Sequence, residues 1–193
     1  MTDDDSTGGG PSHDPRSGPL RIDVLRLPQG ATLGLVHCPG RSGTDGCGRT
    51  WSRCLDADLA AIEDWGASVL VSLVEEAEFA RLGVAGLAAA VRGRRFTWRH
   101  LPIPDMQPPD AAALGALLRS GSPVADALAG GGKVVLHCAA GLGRTGTIAA
   151  ALLADAGVRP TLAIAAVRAI RPGAIETAAQ EAFVTGMRWR LSP

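Results

Sequence analysis

The chain has 193 residues, of which 46% are hydrophobic, and its formal net charge is zero. This length supports one domain with a substantial core. A neutral chain has no general electrostatic attraction for nucleic acid or for an anionic membrane surface, so neither is expected as a partner. Lys133 is the single lysine in a chain with 19 basic residues, a bias toward Arg that is typical of GC-rich bacterial genomes.

Residues 1–19 contain mainly Asp, Gly, Ser and Pro and offer almost nothing to bury. They predict a disordered N-terminal tail, followed by one domain over residues 20–193. The acidic, polar start does not have the pattern of a signal peptide, and no apolar run approaches the about 20 residues that cross a membrane. We therefore expect a cytoplasmic protein with reduced thiols.

The segments after the tail alternate between strand and helix patterns. Short apolar or β-branched runs predict strands over residues 33–38, 67–74 and 132–138, the last two buried. An alternating pattern predicts a further strand over residues 96–103, which runs into a loop. Apolar spacing, caps and glycine stops predict helices over residues 56–66, 75–84, 87–93, 108–121, 122–130, 144–157, 159–171 and 175–191. Asp56 is the predicted N-cap of the first helix, and the glycine-rich segment 40–53 is a predicted loop.

This alternation predicts an α/β fold, in which a central, mostly parallel sheet of four to five strands has helices on both faces. Ligands in such sheets bind at the carboxyl ends of the strands. Polar residues of chemical interest lie at or just after the ends of three of the predicted strands, namely Cys38, Asp105 and Cys138. We expect the functional site at that edge of the sheet.

The stretch "KVVLHCAAGLGRTG" allows two interpretations of its glycines. Gly141, Gly143 and Gly146 fit the G-x-G-x-x-G fingerprint of dinucleotide-binding folds, between a strand and a helix. That fingerprint also needs an acidic residue about 20 positions later, at the end of another strand. The corresponding position falls near Ala166, within a predicted helix without an acid, and no Gly-Lys-Ser/Thr follows that would make a phosphate-binding Walker A loop. We therefore expect no nucleotide cofactor.

The other interpretation makes Cys138 a nucleophile at the end of a buried strand, with Arg144 six residues later at the start of a helix. Small residues in the intervening loop let successive N–H groups point inward as an anion nest, and the helix N-terminus adds its dipole. The same positive field favours a reactive thiolate. The Arg144 guanidinium suits two oxygens of one phosphate, and the Thr145 hydroxyl can donate toward Cys138. The predicted phosphate-binding residues are Ala139, Ala140, Gly141, Leu142, Gly143 and Arg144.

The segment "HCAAGLGRT" resembles the H-C-x5-R-(S/T) signature of cysteine-dependent protein phosphatases, the tyrosine and dual-specificity superfamily. With "LGLVHCPG", "GLGR" and the "GAI-T" pattern, the chain is similar to the kinase-associated phosphatase group from roughly Leu33 to Leu191. The resemblance implies a protein tyrosine phosphatase-like fold and a phosphocysteine intermediate. It also implies that His137 hydrogen-bonds within the loop and tunes the thiol.

Two further roles come from the resemblance. Family members carry a general-acid Asp on a mobile loop, often after Pro, and "LPIPDMQPPD" offers Asp105 for this role. Asp110 is the rival, although its setting is that of a helix cap. Gln180 falls on the second glutamine of the family's "IQTxxQ" loop, which positions the hydrolytic water, whereas Glu176 stands where the family usually has Gln. Alternatively, Gln180 is an ordinary polar residue on a helix.

The remaining cysteines suggest two other hypotheses. His37, Cys38, Cys47 and Cys54 lack the close C-x2–4-C spacing of zinc sites, so no metal is expected. Oxidised Cys138 could be resolved as a disulfide by Cys38 or Cys47, with ordinary thiols as the alternative. The glycine-rich segment also carries Arg41, Arg49 and Arg53. These arginines either contact acidic residues that flank the phosphate group of a substrate or are simply solvated.

These observations predict a phosphatase that hydrolyses phosphomonoesters of phosphotyrosine, phosphoserine or phosphothreonine in a protein or peptide substrate. The loop has no lysine of the kind found in phosphoinositide phosphatases, which disfavours a lipid substrate. The alternative is a phosphate-binding module without turnover, which the intact Cys138, Arg144 and Asp105 argue against. A monomer is assumed.

Overall fold

The computed structural model describes Asp14 and residues 16–187. Most of the predicted tail (residues 1–13 and 15), the end of the last predicted helix (residues 188–191) and residues 192–193 therefore lie outside the described residues. The strands are β1 Asp23–Arg26, β2 Thr32–Val36, β3 Ser42–Thr44, β4 Thr50–Ser52, β5 Val69–Ser72, β6 Thr97–His100 and β7 Lys133–His137. The helices are α1 Leu55–Asp64, α2 Glu76–Arg81, α3 Leu87–Ala90, α4 Ala111–Leu117, α5 Pro123–Ala129, α6 Gly143–Asp155, α7 Pro160–Ile170 and α8 Ala178–Gly186.

The main sheet has five strands in the order β1-β2-β7-β5-β6. Only β1 runs antiparallel, against β2, and the other neighbouring strands are parallel. Helices flank this sheet, since α6 packs on β2 and β7 while α5 packs on β7 and β5. The predicted α/β fold with a mostly parallel sheet is confirmed.

The core explains why the central strands carry continuous apolar runs. Both faces of the sheet are covered, and every residue of β2 and β5 is buried, as are four of the five in β7. Helix α6 is buried from Gly143 to Ala154, which fits its lack of a polar face. The site at the carboxyl end of β7 therefore rests on a fully packed strand and helix.

The structure corrects the sequence prediction at three places. Strand β1 was not predicted, and the segment expected to be a loop contains the β3–β4 hairpin. Asp45 organises that hairpin, because its carboxylate accepts hydrogen bonds from the N–H groups of Cys47 and Arg49 and from the Trp51 indole, each at 3.0 Å. Helix α1 begins at Leu55 after Cys54, so Asp56 lies in its first turn rather than at the N-cap.

The helix boundaries before β7 agree with the capping patterns. Asp110 is the N-cap of α4 and accepts a hydrogen bond from the Ala113 N–H at 2.8 Å. Ser122 caps α5 in the same way, with Pro123 as the first helical residue. Within Asp14 and residues 16–187, the structure has no helix of sufficient length and apolarity to cross a membrane.

Candidate active site

The loop between β7 and α6 carries the predicted nucleophile. Cys138 directly follows β7, is only 3% exposed, and its sulfur accepts a hydrogen bond from the Gly141 N–H at 3.2 Å. Gly141 has a φ of 70°, and a Cβ there would collide with the Val36 carbonyl group. Glycine is therefore required both by the backbone conformation and by space. The loop turns one N–H group, that of Gly141, onto the cysteine sulfur, whereas the predicted anion nest requires several such groups.

Two arginines outside the signature hold the loop carbonyl groups on the outer side. Arg171 donates to the carbonyl oxygens of Gly141 and Ala140, at 2.5 and 2.9 Å. Arg41 donates to the Ala139 carbonyl oxygen at 3.3 Å. Since three consecutive carbonyl groups are occupied outside, the peptide planes are fixed with their N–H groups available inside. Sequence reasoning did not assign a role in this loop to Arg171.

Arg171 and Arg41 are themselves anchored by carboxylates. Arg171 donates to the Asp23 carboxylate at 2.5 Å, which ties the loop to β1. Arg41 lies 3.7 Å from the Asp45 carboxylate and stacks over the Trp51 ring at 4.0 Å. The hairpin that sequence analysis missed is therefore one wall of the loop.

Arg144 is 2% exposed and forms a two-pronged ion pair with the buried carboxylate of Glu78. The nitrogen–oxygen distances are 2.5 and 3.0 Å, and the Ile103 carbonyl oxygen accepts a further hydrogen bond at 3.1 Å. Burial alone lowers the pKa of Arg144, but the hydrogen bond to Glu78 and the nearby Cys138 give a net increase. Sequence reasoning missed Glu78, which lies on α2.

The Glu78 carboxylate binds both the Arg144 guanidinium and the backbone at the start of α2. Burial alone raises its pKa, but hydrogen bonds from Arg144 and from the Glu75 N–H outweigh burial, and the net pKa is lowered. The Glu75 N–H bond, at 2.7 Å, belongs to the capping box that begins α2. The ionised carboxylate thus fixes both the helix start and the orientation of the Arg144 guanidinium.

Asp105 and Asp110 lie in different environments. Asp105 is in the turn after β6, with its carboxylate 59% exposed and 3.0 Å from Arg144 Nη2. Its carboxylate also accepts a hydrogen bond from the N–H of Met106, a residue with a φ of 61°. Asp110 is committed to capping α4. Of the two candidate acids, the structure brings Asp105 to the buried arginine.

His137 is fully buried and forms part of a polar chain behind the loop. The Trp98 indole N–H donates to Ser72 Oγ at 2.9 Å, and Ser72 Oγ lies 2.6 Å from His137 Nε2. Since the Cys138 carbonyl oxygen, 3.3 Å from Nδ1, can only accept, Nδ1 carries the proton of the neutral imidazole, and Nε2 accepts from the serine hydroxyl. Burial lowers the pKa of His137 to about 4, so the imidazole is neutral at pH 7. This arrangement fits a residue that orients the cysteine rather than one that transfers a proton.

Gln180 is fully buried, and hydrogen bonds to backbone groups engage both ends of its amide. Its Oε1 accepts from the N–H groups of Glu176 and Thr177 at 2.9 and 3.3 Å, and its Nε2 donates to the Gln107 carbonyl oxygen at 3.3 Å. The first of these bonds fixes the backbone ahead of α8, and the Thr177 bond belongs to the capping box of that helix. A Cβ at Gly143 would lie 2.9 Å from Gln180 Nε2, so the side chain borders the loop.

Two more polar groups lie at the start of α6. The Gly143 N–H donates to Glu176 Oε2 at 2.8 Å. The hydroxyl of Thr145 is buried, and the described residues offer it no hydrogen-bond partner. Its predicted donation to Cys138 therefore remains a prediction. Of the loop residues expected to bind phosphate, Gly141 directs its N–H to the sulfur and Gly143 directs its N–H to a carboxylate.

The remaining cysteines and Arg53 differ in their burial and their contacts. Cys38 is buried beside the loop, where its N–H donates to the Ala139 carbonyl oxygen at 3.2 Å, and burial raises the pKa of its thiol. Cys47 and Cys54 are exposed, and all four cysteines are free. Among the described residues no group of three or more His, Cys, Asp or Glu side chains is placed to hold a metal ion. Arg53 is buried against Asp58 at 2.6 Å, so it does not face solvent.

A cysteine directly after a buried strand, a loop that turns an N–H group onto its sulfur and a buried arginine at a helix start are the features of a cysteine-dependent phosphatase. A family model described as "PTP-SAK: Swiss Army Knife protein, DSP-PTPase phosphatase domain" matches residues 52–184. The chain belongs to this family, and the predicted class of enzyme, a phosphatase of the tyrosine and dual-specificity type, is confirmed.

Individual relatives agree with the family match. The chain is 27% identical to cyclin-dependent kinase inhibitor 3 of Rattus norvegicus, over 97% of this chain and 87% of the relative. A crystal structure of kinase-associated phosphatase (KAP), with serine at its catalytic-site cysteine, matches with a TM-score of 0.76 at 26% identity, covering 86% of this chain and 92% of that chain. Tk-PTP in its active form matches with a TM-score of 0.59 at 25% identity, covering 81% and 92% of the two chains. The resemblance to the kinase-associated phosphatase group is thereby confirmed.

Proposed function

We propose that this phosphatase hydrolyses phosphomonoesters through a phosphocysteine intermediate formed on Cys138. The observation that carries the proposal is the Gly141 N–H bond to the sulfur at 3.2 Å, in a loop that ends at the buried guanidinium of Arg144. The sulfur attacks phosphorus in line with the leaving oxygen. The N–H groups of residues 139–144 and the Arg144 guanidinium hold the equatorial oxygens as charge develops on them.

Asp105 is proposed to protonate the leaving oxygen and afterwards to accept a proton from the attacking water. Its side chain is exposed in the turn that begins at Pro104, so it can approach a bound substrate, and its carboxylate lies 3.0 Å from the guanidinium of Arg144. Gln180 is proposed to orient that water, for which it must exchange a backbone hydrogen bond. Thr145 is proposed to stabilise the leaving thiolate, because its buried hydroxyl has no hydrogen-bond partner among the described residues.

The proposed substrate is a phosphorylated protein or peptide, on phosphotyrosine, phosphoserine or phosphothreonine. Support comes from the class of the domain and from the relatives, which are called a kinase inhibitor and a kinase-associated phosphatase. We place the phosphatase domain at residues 20–193, without a metal or cofactor. A nucleophilic thiol requires a reducing compartment, so we place the enzyme in the cytoplasm.

The test is hydrolysis of p-nitrophenyl phosphate by purified protein. We expect Cys138→Ser to abolish turnover, and Asp105→Ala to lower kcat by about 100-fold, the typical contribution of a general acid, with little change in KM. Cys47→Ser, at an exposed thiol, is the matched control and should retain activity. Undiminished turnover in Cys138→Ser would refute the mechanism. Phosphate binding without turnover by the wild-type chain would favour the non-catalytic module.

A further inference from the structure

The carboxylate of Glu176 occupies one of the N–H groups assigned to phosphate. Glu176 Oε2 accepts the Gly143 hydrogen bond at 2.8 Å, and a Cβ added to Gly143 would collide with the same oxygen. A carboxylate and a phosphate group present similar oxygen acceptors to an N–H donor. Since Gly143 has a single N–H, the carboxylate and a phosphate oxygen compete for it.

The position of Glu176 is fixed by the backbone that precedes it. Arg168 donates to the carbonyl oxygens of Ala174 and Ile175, at 3.2 and 3.1 Å. Ile175 has a φ of 61° and is 3% exposed, so a β-branched residue is held in the left-handed region. The Glu176 N–H is itself bound by Gln180 at 2.9 Å. The carboxylate therefore reaches the loop from a constrained backbone rather than from a free chain end.

The charge of Glu176 is not neutralised locally. In the described part of the chain, no nitrogen of Lys, Arg or His lies within the 4.0 Å of an ion pair with its carboxylate. By contrast, the charge of Arg144 is already matched by Glu78 and Asp105. An entering phosphate group therefore meets an additional negative charge at the loop.

We propose that the Glu176 carboxylate lowers the affinity of the loop for phosphate. Its carboxylate holds the Gly143 N–H in the empty site, must leave when a phosphoryl group enters, and returns as inorganic phosphate departs. The chain thus has an internal competitor at the position where the resemblance to the family calls for a neutral glutamine. Weak binding of the product follows, because the exposed Glu176 carboxylate and a phosphate oxygen carry like charges and would meet at the same part-buried N–H group, where they repel. This inference rests on the proposed phosphate-binding role of the loop.

The direct test is calorimetric titration of inorganic phosphate into Cys138→Ser protein, with and without a second substitution at Glu176. We expect Glu176→Gln to tighten phosphate binding by about tenfold, which corresponds to ~1.4 kcal/mol. Glu176→Ala, which also vacates the N–H, should tighten it at least as much. Glu76→Gln on α2 is the matched control, since that carboxylate is 88% exposed and contacts neither Gly143 nor the backbone ahead of Glu176, and it should bind phosphate like the parent.

A second measurement is inhibition of p-nitrophenyl phosphate hydrolysis by inorganic phosphate, in chains that retain Cys138. The inhibition constant should fall about tenfold in Glu176→Gln relative to wild type. Equal phosphate affinity in the parent, Glu176→Gln and Glu176→Ala proteins, all folded by circular dichroism, would overturn the inference while leaving the proposed function intact. If instead the wild-type chain shows no turnover, the proposed function fails, and the titration still decides the role of Glu176.

Discussion

The ion pair between Glu78 and Arg144 offers a sharp test of how the loop arginine is positioned. Glu78→Gln removes the charge but keeps an oxygen that can accept from the Glu75 N–H, so the capping box of α2 survives. The guanidinium then retains the Ile103 carbonyl oxygen at 3.1 Å and Asp105 at 3.0 Å. What is lost is the two-pronged pairing of a buried charge.

Breaking a buried ion pair from one side costs about 3–5 kcal/mol. Because Arg144 keeps two partners, we expect the lower end, about 3 kcal/mol, which lowers the midpoint of thermal unfolding by about 6–12 °C in a domain of this size. We also expect a loss of kcat in the folded protein, in addition to the loss of stability. A guanidinium that is no longer oriented loses its transition-state contact, and one such contact is worth about 100-fold in kcat.

The assay combines thermal unfolding with kcat for p-nitrophenyl phosphate at a temperature where both proteins are folded. Glu76→Gln is the matched control, because its side chain lies on the same helix and is 88% exposed. It should change neither quantity appreciably. A Glu78→Gln protein with wild-type unfolding temperature and wild-type kcat would show that the pair does not position Arg144.

Two further predictions concern the loop and the buried histidines. Gly141→Ala should lower kcat by about 100-fold, because the added Cβ displaces the loop. Gly157 also has a positive φ, 92°, but open space around it, so Gly157→Ala should cost only about 1–2 kcal/mol of stability and leave kcat unchanged. Equal losses of kcat in the two variants would contradict the steric argument. Burial lowers the pKa of His37 to about 3 and of His137 to about 4, from 6.5. The unfolded chain takes up these protons below pH 6.5 and the folded one does not. Stability should therefore be complete above pH 6.5 and fall by up to about 1.4 kcal/mol per pH unit per histidine between 6.5 and 4, as urea unfolding can measure. A flat profile would exclude buried neutral imidazoles.

The strand–loop–helix unit was predictable because all its determinants are contiguous. An apolar run, a cysteine, small residues and an arginine follow one another within Lys133–Arg144, and local sterics decide their conformation. The partners of the unit were not predictable in this way. Glu78 lies 66 residues before Arg144, and Arg171 lies 30 residues after Gly141. An acid in the first turn of a helix and an arginine after another helix are ordinary surface residues until the sheet brings them together.

The missed strands have a similar explanation. β1 is four residues long with alternating burial, as expected of an antiparallel edge strand, and four residues are too few for a clear period. The β3–β4 hairpin lies in a glycine-rich, polar segment that composition alone marks as a loop. What makes it a hairpin is one carboxylate, that of Asp45, which accepts from two backbone N–H groups and from Trp51.

The arginines around the loop are each close to a carboxylate. Arg144 is matched by Glu78, Arg171 by Asp23, and Arg41 lies near Asp45. The arginines therefore supply little net positive charge, and two of them are used to hold carbonyl groups outward. Attraction for phosphate must then come mainly from directed N–H groups and the start of α6, which act only at short range. A site of this kind depends strongly on each N–H group, which is why the loss of a single one to the Glu176 carboxylate should be measurable.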